Sequence, residues 1–261
     1  MTARLVALCG LLSLSSCSKP EAPVRRTEPW PAQPSASAHV SAEAPQSYRF
    51  SPDSLVRFTL QGKKDKISGR LPLDVAHATL QLDLRDLKSS RARIDFDLTK
   101  LSVDADALPD DVDLGGRTPD GLAQQWLELG PNVAAERRRE FGMARFELVS
   151  VQSAVNVLDP KARRPQSVRG TVVGTLLLHG FRAPIRADVV LSAVESPTGG
   201  PQRVSIRSAG AVVVPLAPHE IVARGPSGIA DVLAMARSAR WVGKQAKIEL
   251  ELFAEAEPGH K

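Results

Sequence analysis

Cysteine is almost absent from the part of the chain that could fold. Both cysteines, Cys9 and Cys17, lie at or before position 17, so the remainder can hold neither a disulfide framework nor a cysteine-based metal cage. Aromatic residues are scarce too, at 4% with one tyrosine, which leaves no interleaved platform for stacking single-stranded nucleic acid. No apolar run approaches the ~20 residues of a membrane-spanning helix. The histidines His39, His77, His179, His219 and His260 are isolated along the chain, and no H-E-x-x-H pattern occurs. His179, at the end of a strand-like segment, is the one candidate general base, a surface or turn position being the plainer reading. Gly225-Pro226-Ser227-Gly228 spaces its glycines wrongly for a nucleophile elbow. The acidic stretch Asp104, Asp106, Asp110, Asp111 and Asp113 offers oxygen ligands, but Leu108 and Pro109 stand where a calcium loop needs a ligand and a glycine. Arg137-Arg138-Arg139 and Arg163-Arg164 read as solvated charge, and the net charge of +5 is a mild bias. A non-enzymatic protein without a metal, a cofactor or a nucleic-acid partner is the expectation.

The start of the chain reads as an address. Arg4 precedes the apolar stretch Leu5–Leu14, a signal-peptide layout. Leu14-Ser15-Ser16-Cys17 then resembles the lipobox of bacterial lipoproteins: a branched apolar residue, two small residues and the cysteine to be acylated. That resemblance implies cleavage after residue 16, lipid attachment at Cys17 and a membrane partner through the anchor. Two or three acyl chains hold far better than one. An ordinary cleaved signal with an incidental cysteine is the alternative. Ser18 after the cysteine is similar to the pattern that sorts lipoproteins to the outer membrane, facing the periplasm.

Residues 17–47 are rich in Pro, Ala and Ser, with Pro20, Pro23, Pro29, Pro31, Pro34 and Pro45 among them and no apolar period. This composition predicts a disordered tether, extended at ~3.1 Å per residue where proline dominates. From Tyr48 to Ala256 the pattern changes to strict alternation. Val56, Phe58 and Leu60; Leu80, Leu82 and Leu84; Ala92, Ile94, Phe96 and Leu98; Gly170 to Leu178; Ile185 to Leu191; and Ala246 to Leu252 each place apolar residues on one face. About nine half-buried strands joined by short turns predict a mainly β, antiparallel barrel with one or two short helices. One helix is expected with Thr118 as cap, Pro119 first and Leu122, Trp126 and Leu129 on one face, a second from Ser227 to about Trp241. Residues 257–261 form a tail.

Within this domain, Val168-Arg169-Gly170-Thr171-Val172-Val173-Gly174-Thr175-Leu176-Leu177-Leu178-His179-Gly180-Phe181-Arg182-Ala183-Pro184-Ile185 resembles the hairpin of the YceI-like family of lipocalin-like envelope proteins. Tyr48-Arg49-Phe50-Ser51 to Phe58 is similar to that family's opening strand, and Phe141 to Phe146 to its later strand start, without the family's proline. The resemblance covers 48–256. It implies an extended antiparallel lipocalin-like barrel whose apolar interior binds a hydrophobic small molecule such as a polyisoprenoid or quinone. The side chains expected to line that interior are Phe58, Leu82, Ile94, Phe96, Leu98, Phe146, Leu148, Val172, Leu176, Leu178, Ile185, Val189, Ile206, Ile248 and Leu250. The alternative is that these side chains fill the barrel, leaving an envelope interaction or scaffold module that uses the Trp126 helix or the basic loops as its contact surface.

Overall fold

The computed structural model describes residues 24–25, 45–63, 66–107, 118–158, 167–195, 201–222 and 243–257. The lipobox, most of the tether, the expected helix from Ser227 and the acidic residues Asp110, Asp111 and Asp113 lie outside the described residues, as do Arg163 and Arg164. Thirteen strands form one antiparallel sheet: β1 (Val24–Arg25), β2 (Gln46–Phe50), β3 (Leu55–Gln61), β4 (Lys66–Leu71), β5 (Thr79–Leu82), β6 (Arg91–Asp97), β7 (Ser102–Val103), β8 (Met143–Ser153), β9 (Val168–Leu178), β10 (Phe181–Glu195), β11 (Pro201–Ser208), β12 (Val212–Pro215) and β13 (Gln245–Ala256). Among the described residues two α-helices interrupt them, α1 (Pro119–Trp126) and α2 (Ala135–Phe141).

The sheet closes on itself. From β10 the ladder passes to β11, β13, β2, β5, β6, β8 and β9, then back to β10. Closure removes free edges around that ring, the usual solution for an antiparallel sheet with one apolar face. β13 pairs with four strands. Along one edge it pairs first with β3 (Ala246 to Glu251) and then with β2 (Ala254 to Ala256). Along the other it pairs with β12 (Gln245 to Ile248) and then β11 (Glu251 to Glu255). At the β3 end the wall continues through β4, and a bridge from Leu73 to Phe96 ties the chain after β4 back to β6. Val24 and Arg25, inside the stretch expected to be a tether, pair with Arg182 and Phe181 at the start of β10.

Alternation explains which faces are buried. Val56, Phe58, Leu80, Leu82, Ile94, Phe96, Leu191 and Leu252 all point into the ring and belong to one buried cluster. In β8 the alternation breaks: a register shift between Leu148 and Ser150 leaves Val149 70% exposed. This bulge inserts one residue and resets the period, so β8 runs on to Ser153, well past the Leu148 at which simple alternation ends.

The β9–β10 connection is a two-residue turn, His179 and Gly180, with φ of 52° and 79°. Two left-handed residues give the turn whose twist matches a hairpin, and glycine takes one of them without steric cost. In α1, Thr118 accepts a hydrogen bond from the Gly121 backbone N–H at 3.1 Å and Pro119 opens the helix, as expected. The helix stops at Trp126, and Glu128, at φ 56°, reverses the chain, so Leu129 is buried beyond the helix rather than on its face. Trp126 packs against Ile67, with Leu60, Val103 and Leu122 around them. It therefore faces inward, on the side of α1 turned toward the barrel. The Arg137–Arg139 run, expected as solvated charge, lies on α2. There Arg137 pairs with Glu128 at 2.8 Å and lies 5.1 Å from the centre of the Phe141 ring.

Candidate functional site

Inside the ring lies a cavity of about 250 Å³. Every residue expected from sequence to line the interior does line it: Phe58, Leu82, Ile94, Phe96, Leu98, Phe146, Leu148, Val172, Leu176, Leu178, Ile185, Val189, Ile206, Ile248 and Leu250. The period-2 rule is responsible, because strands that close into a ring send one whole face to its axis. Among the lining residues that sequence reasoning missed are the following. β12 adds Val212 and Val214, an alternation only a few residues long; the chain around α1 adds Ala123, Trp126 and Leu127; and Ser90 comes from the connection between β5 and β6. Among the described residues no side chain with a formal charge lines the cavity, and its wall is almost wholly apolar.

One end of the ring is packed shut. The turn of helix Leu87–Ser89 folds beneath β5, its Asp86 carboxylate accepting from the Lys88 N–H. The Leu87 N–H donates to Asn156 at 3.2 Å, and that of Leu158 to the Leu84 carbonyl at 2.8 Å. These bonds hold Leu84, Leu87 and Val157 in a floor that includes Tyr48 and Phe50, all in one buried cluster. Burial pushes the Tyr48 phenol up to about 12.

The other end holds an arrangement that sequence order hides. His179 and His219, far apart in the chain, are both buried, at 1% and 0% exposure. His179 is thus neither a surface histidine nor isolated: its Nδ1 lies 2.8 Å from the His219 carbonyl oxygen, and its ring packs against Phe141, tilted by 38°, with centroids 3.9 Å apart. Burial, with His179 nearby, holds the His219 imidazole below its usual value despite its backbone hydrogen bonds. No group of three or more metal-ligating side chains occurs among the described residues.

On the outer face, Asp95 is fully buried and is held by two arginines. Arg93 donates through Nη2 to Oδ2 at 2.9 Å, and Arg145 through Nε to Oδ1 at 2.6 Å and through Nη2 to Oδ2 at 3.1 Å. Burial pushes the Asp95 carboxyl up, but these hydrogen bonds and charges outweigh it and hold the group below the usual carboxylate range. Beside it, burial raises Glu147 in spite of Arg145, Arg93 and Arg182. This cluster joins β6 to β8 and does not reach the cavity.

No protein-family model matches the chain, and no curated protein matches it. Among solved structures, BcnA of Burkholderia cenocepacia is similar over 77% of this chain and 95% of its own, with 11% identity and a TM-score of 0.50. A polyisoprenoid-binding domain from Saccharophagus degradans, implicated in plant cell wall breakdown, is matched over 82% of this chain and all of its own at 15% identity, TM-score 0.49. A YceI protein of Campylobacter jejuni is matched over 69% and 81% at 10% identity, TM-score 0.44. The chain shares the extended antiparallel barrel fold of BcnA.

Proposed function

We propose that this chain is a YceI-like carrier protein of the bacterial envelope, held to the outer membrane by lipid on Cys17 and facing the periplasm, whose barrel binds the chain of an amphiphilic lipid such as a polyisoprenoid or quinone. The observation that carries this reading is the cavity: about 250 Å³, enclosed by a closed ring and walled by apolar side chains. Size and chemistry together select the ligand class. A dry apolar cavity of about 150 Å³ holds benzene, so this one has room for about ten carbons, the length of two isoprene units. Burying each CH₂ contributes about 0.8 kcal/mol, enough over such a chain to offset much of the cost of association. A longer tail enters only if side chains in the ring or its ends move. The cavity also weighs against a fully packed barrel.

Native mass spectrometry of the mature chain, purified from a bacterial envelope in mild detergent without added lipid, tests the reading. The expected result is a non-covalent added mass that disappears on denaturation and in an Ala187→Phe variant, which fills the cavity. A bare mass that persists after incubation with isoprenoids overturns it. Detergent-phase partition of the wild type, lost in Cys17→Ser, is the expected mark of the anchor.

A further inference from the structure

Between Asp188 and the β9–β10 turn, the cavity wall is not a continuous ladder. β10 pairs with β11 from Val189 onward, and one more bond runs from the Ala209 N–H to the Asp188 carbonyl at 2.7 Å. β12, which follows, pairs with β13 alone. The cause is local. Arg207 stands opposite Glu251 and Val212 opposite Ile248, so five positions on the β11–β12 side span three on β13, and extra residues in one strand bend it. Pro184 works in the same direction. The Asp188 carbonyl faces this edge of β10, and because backbone groups alternate sides along an unbroken register, those of Arg186 and Pro184 face it too. Proline has no N–H to give a ladder there.

Side chains close the split. Ile185 and Ala187 of β10 and Val212 and Val214 of β12 all line the cavity, and Ala187 and Val212 share one buried cluster. At the wide end the hydrogen bond from His219 to the Leu178 carbonyl and the pairing of β1 with β10 bound it. Where the wall ends beside β7, by contrast, α1 covers it: Asp120 accepts from the Val103 N–H at 2.7 Å, and Trp126 packs on Ile67. Neither α1 nor α2 packs over the β10–β12 split in this way.

A polar head has no place in the chamber, whose wall is almost wholly apolar, because it would be desolvated without a hydrogen-bond partner. It must stay in water while the chain crosses the wall. Crossing a paired strand breaks ladder bonds, whereas parting β10 from β12 breaks none. Resting on the carrier reading above, we infer that the β10–β12 split is the ligand's doorway: the chain lies in the chamber, passes between Ala187 and Val212, and leaves its head outside. The ligand is then a single slender chain, selected by its apolar part and not by its head.

Two photoreactive dodecanols test this on the full chain, one with a diazirine beside the hydroxyl and one with it at the far end. Each inserts on illumination where its diazirine lies, and peptide mass spectrometry reads the position. The first is expected to mark Ala183 to Ala187 or Val212 to Pro215, the second the inner wall, and both marks should disappear under excess unlabelled dodecanol. If dodecanol competes with the second probe but the first never marks the split, the crossing lies elsewhere, and the doorway is overturned while the carrier reading stands. If dodecanol competes with neither, both are overturned.

Discussion

His179 and His219 clasp one turn to another. The Nδ1 of His179 meets the carbonyl of His219 at 2.8 Å, while the Nδ1 of His219 meets the carbonyl of Leu178, the residue before His179, at 3.1 Å. Each ring donates from Nδ1 when neutral, so the pair closes this end of the barrel with two hydrogen bonds that need no charge.

That arrangement makes stability depend on pH in a definite direction. The folded-state value of His219 lies below the unfolded 6.5, so the unfolded chain takes up the proton first. Its contribution is complete above about 6.5 and is lost as pH falls toward the folded value. Melting temperature should therefore decrease from pH 7.5 to pH 5, and the decrease should shrink in His219→Gln, which keeps a donor but does not titrate. An identical pH slope in wild type and variant would show that the clasp does not control it.

Asp95 loses its contribution in the same direction but at lower pH. Its carboxylate is favoured in the folded state, so its contribution holds above the unfolded value of 3.8 and is lost on further acidification. Arg93 and Arg145 keep 41% and 26% of their side chains exposed, and water can recover them when the carboxylate is removed. Asp95→Asn should therefore cost about 1.5–3 kcal/mol in urea unfolding at pH 7, as for hydrogen bonds to charged groups, rather than the larger loss of a fully buried pair. A change below about 0.5 kcal/mol, the range of ordinary surface substitutions, would reduce the cluster to a surface ornament.

Gly174 tests how tightly the ring is packed. A methyl group there would overlap the Phe146 ring on β8 and the Glu147 carbonyl, so Gly174→Ala should destabilise by about 1–3 kcal/mol through overpacking. Gly210, with nothing within 4 Å of its would-be Cβ, is the control, and Gly210→Ala should stay within about 0.5 kcal/mol. Equal effects at the two sites in urea titrations would mean that Phe146 yields without cost.

Much of this architecture is legible in the chain. Ile94 and Phe96 against Arg93 and Asp95, and Leu250 and Leu252 against Glu249 and Glu251, announce strands and their inward faces, and those faces converge on one cavity. Legibility ends where period fails. Val149 and Ser150 sit at a bulge, α2 carries one buried apolar residue in its run of charges, and Val212–Pro215 is too short to stand out. Partnerships across long stretches of sequence are invisible to any local pattern, which is why His179 and His219 read as isolated.

β13 has a consequence for the order of events in the cell. All four strands it pairs with, β2, β3, β11 and β12, precede it in the chain, so the wall stays breached until residues 245–256 have been synthesised. Contacts this distant in sequence form late, because the loop between them must be ordered first. A nascent chain of this protein therefore lacks its closing stave while most of it is being made. Such a chain remains threadable, the state a polypeptide must keep if it is to pass through a translocation pore before it folds.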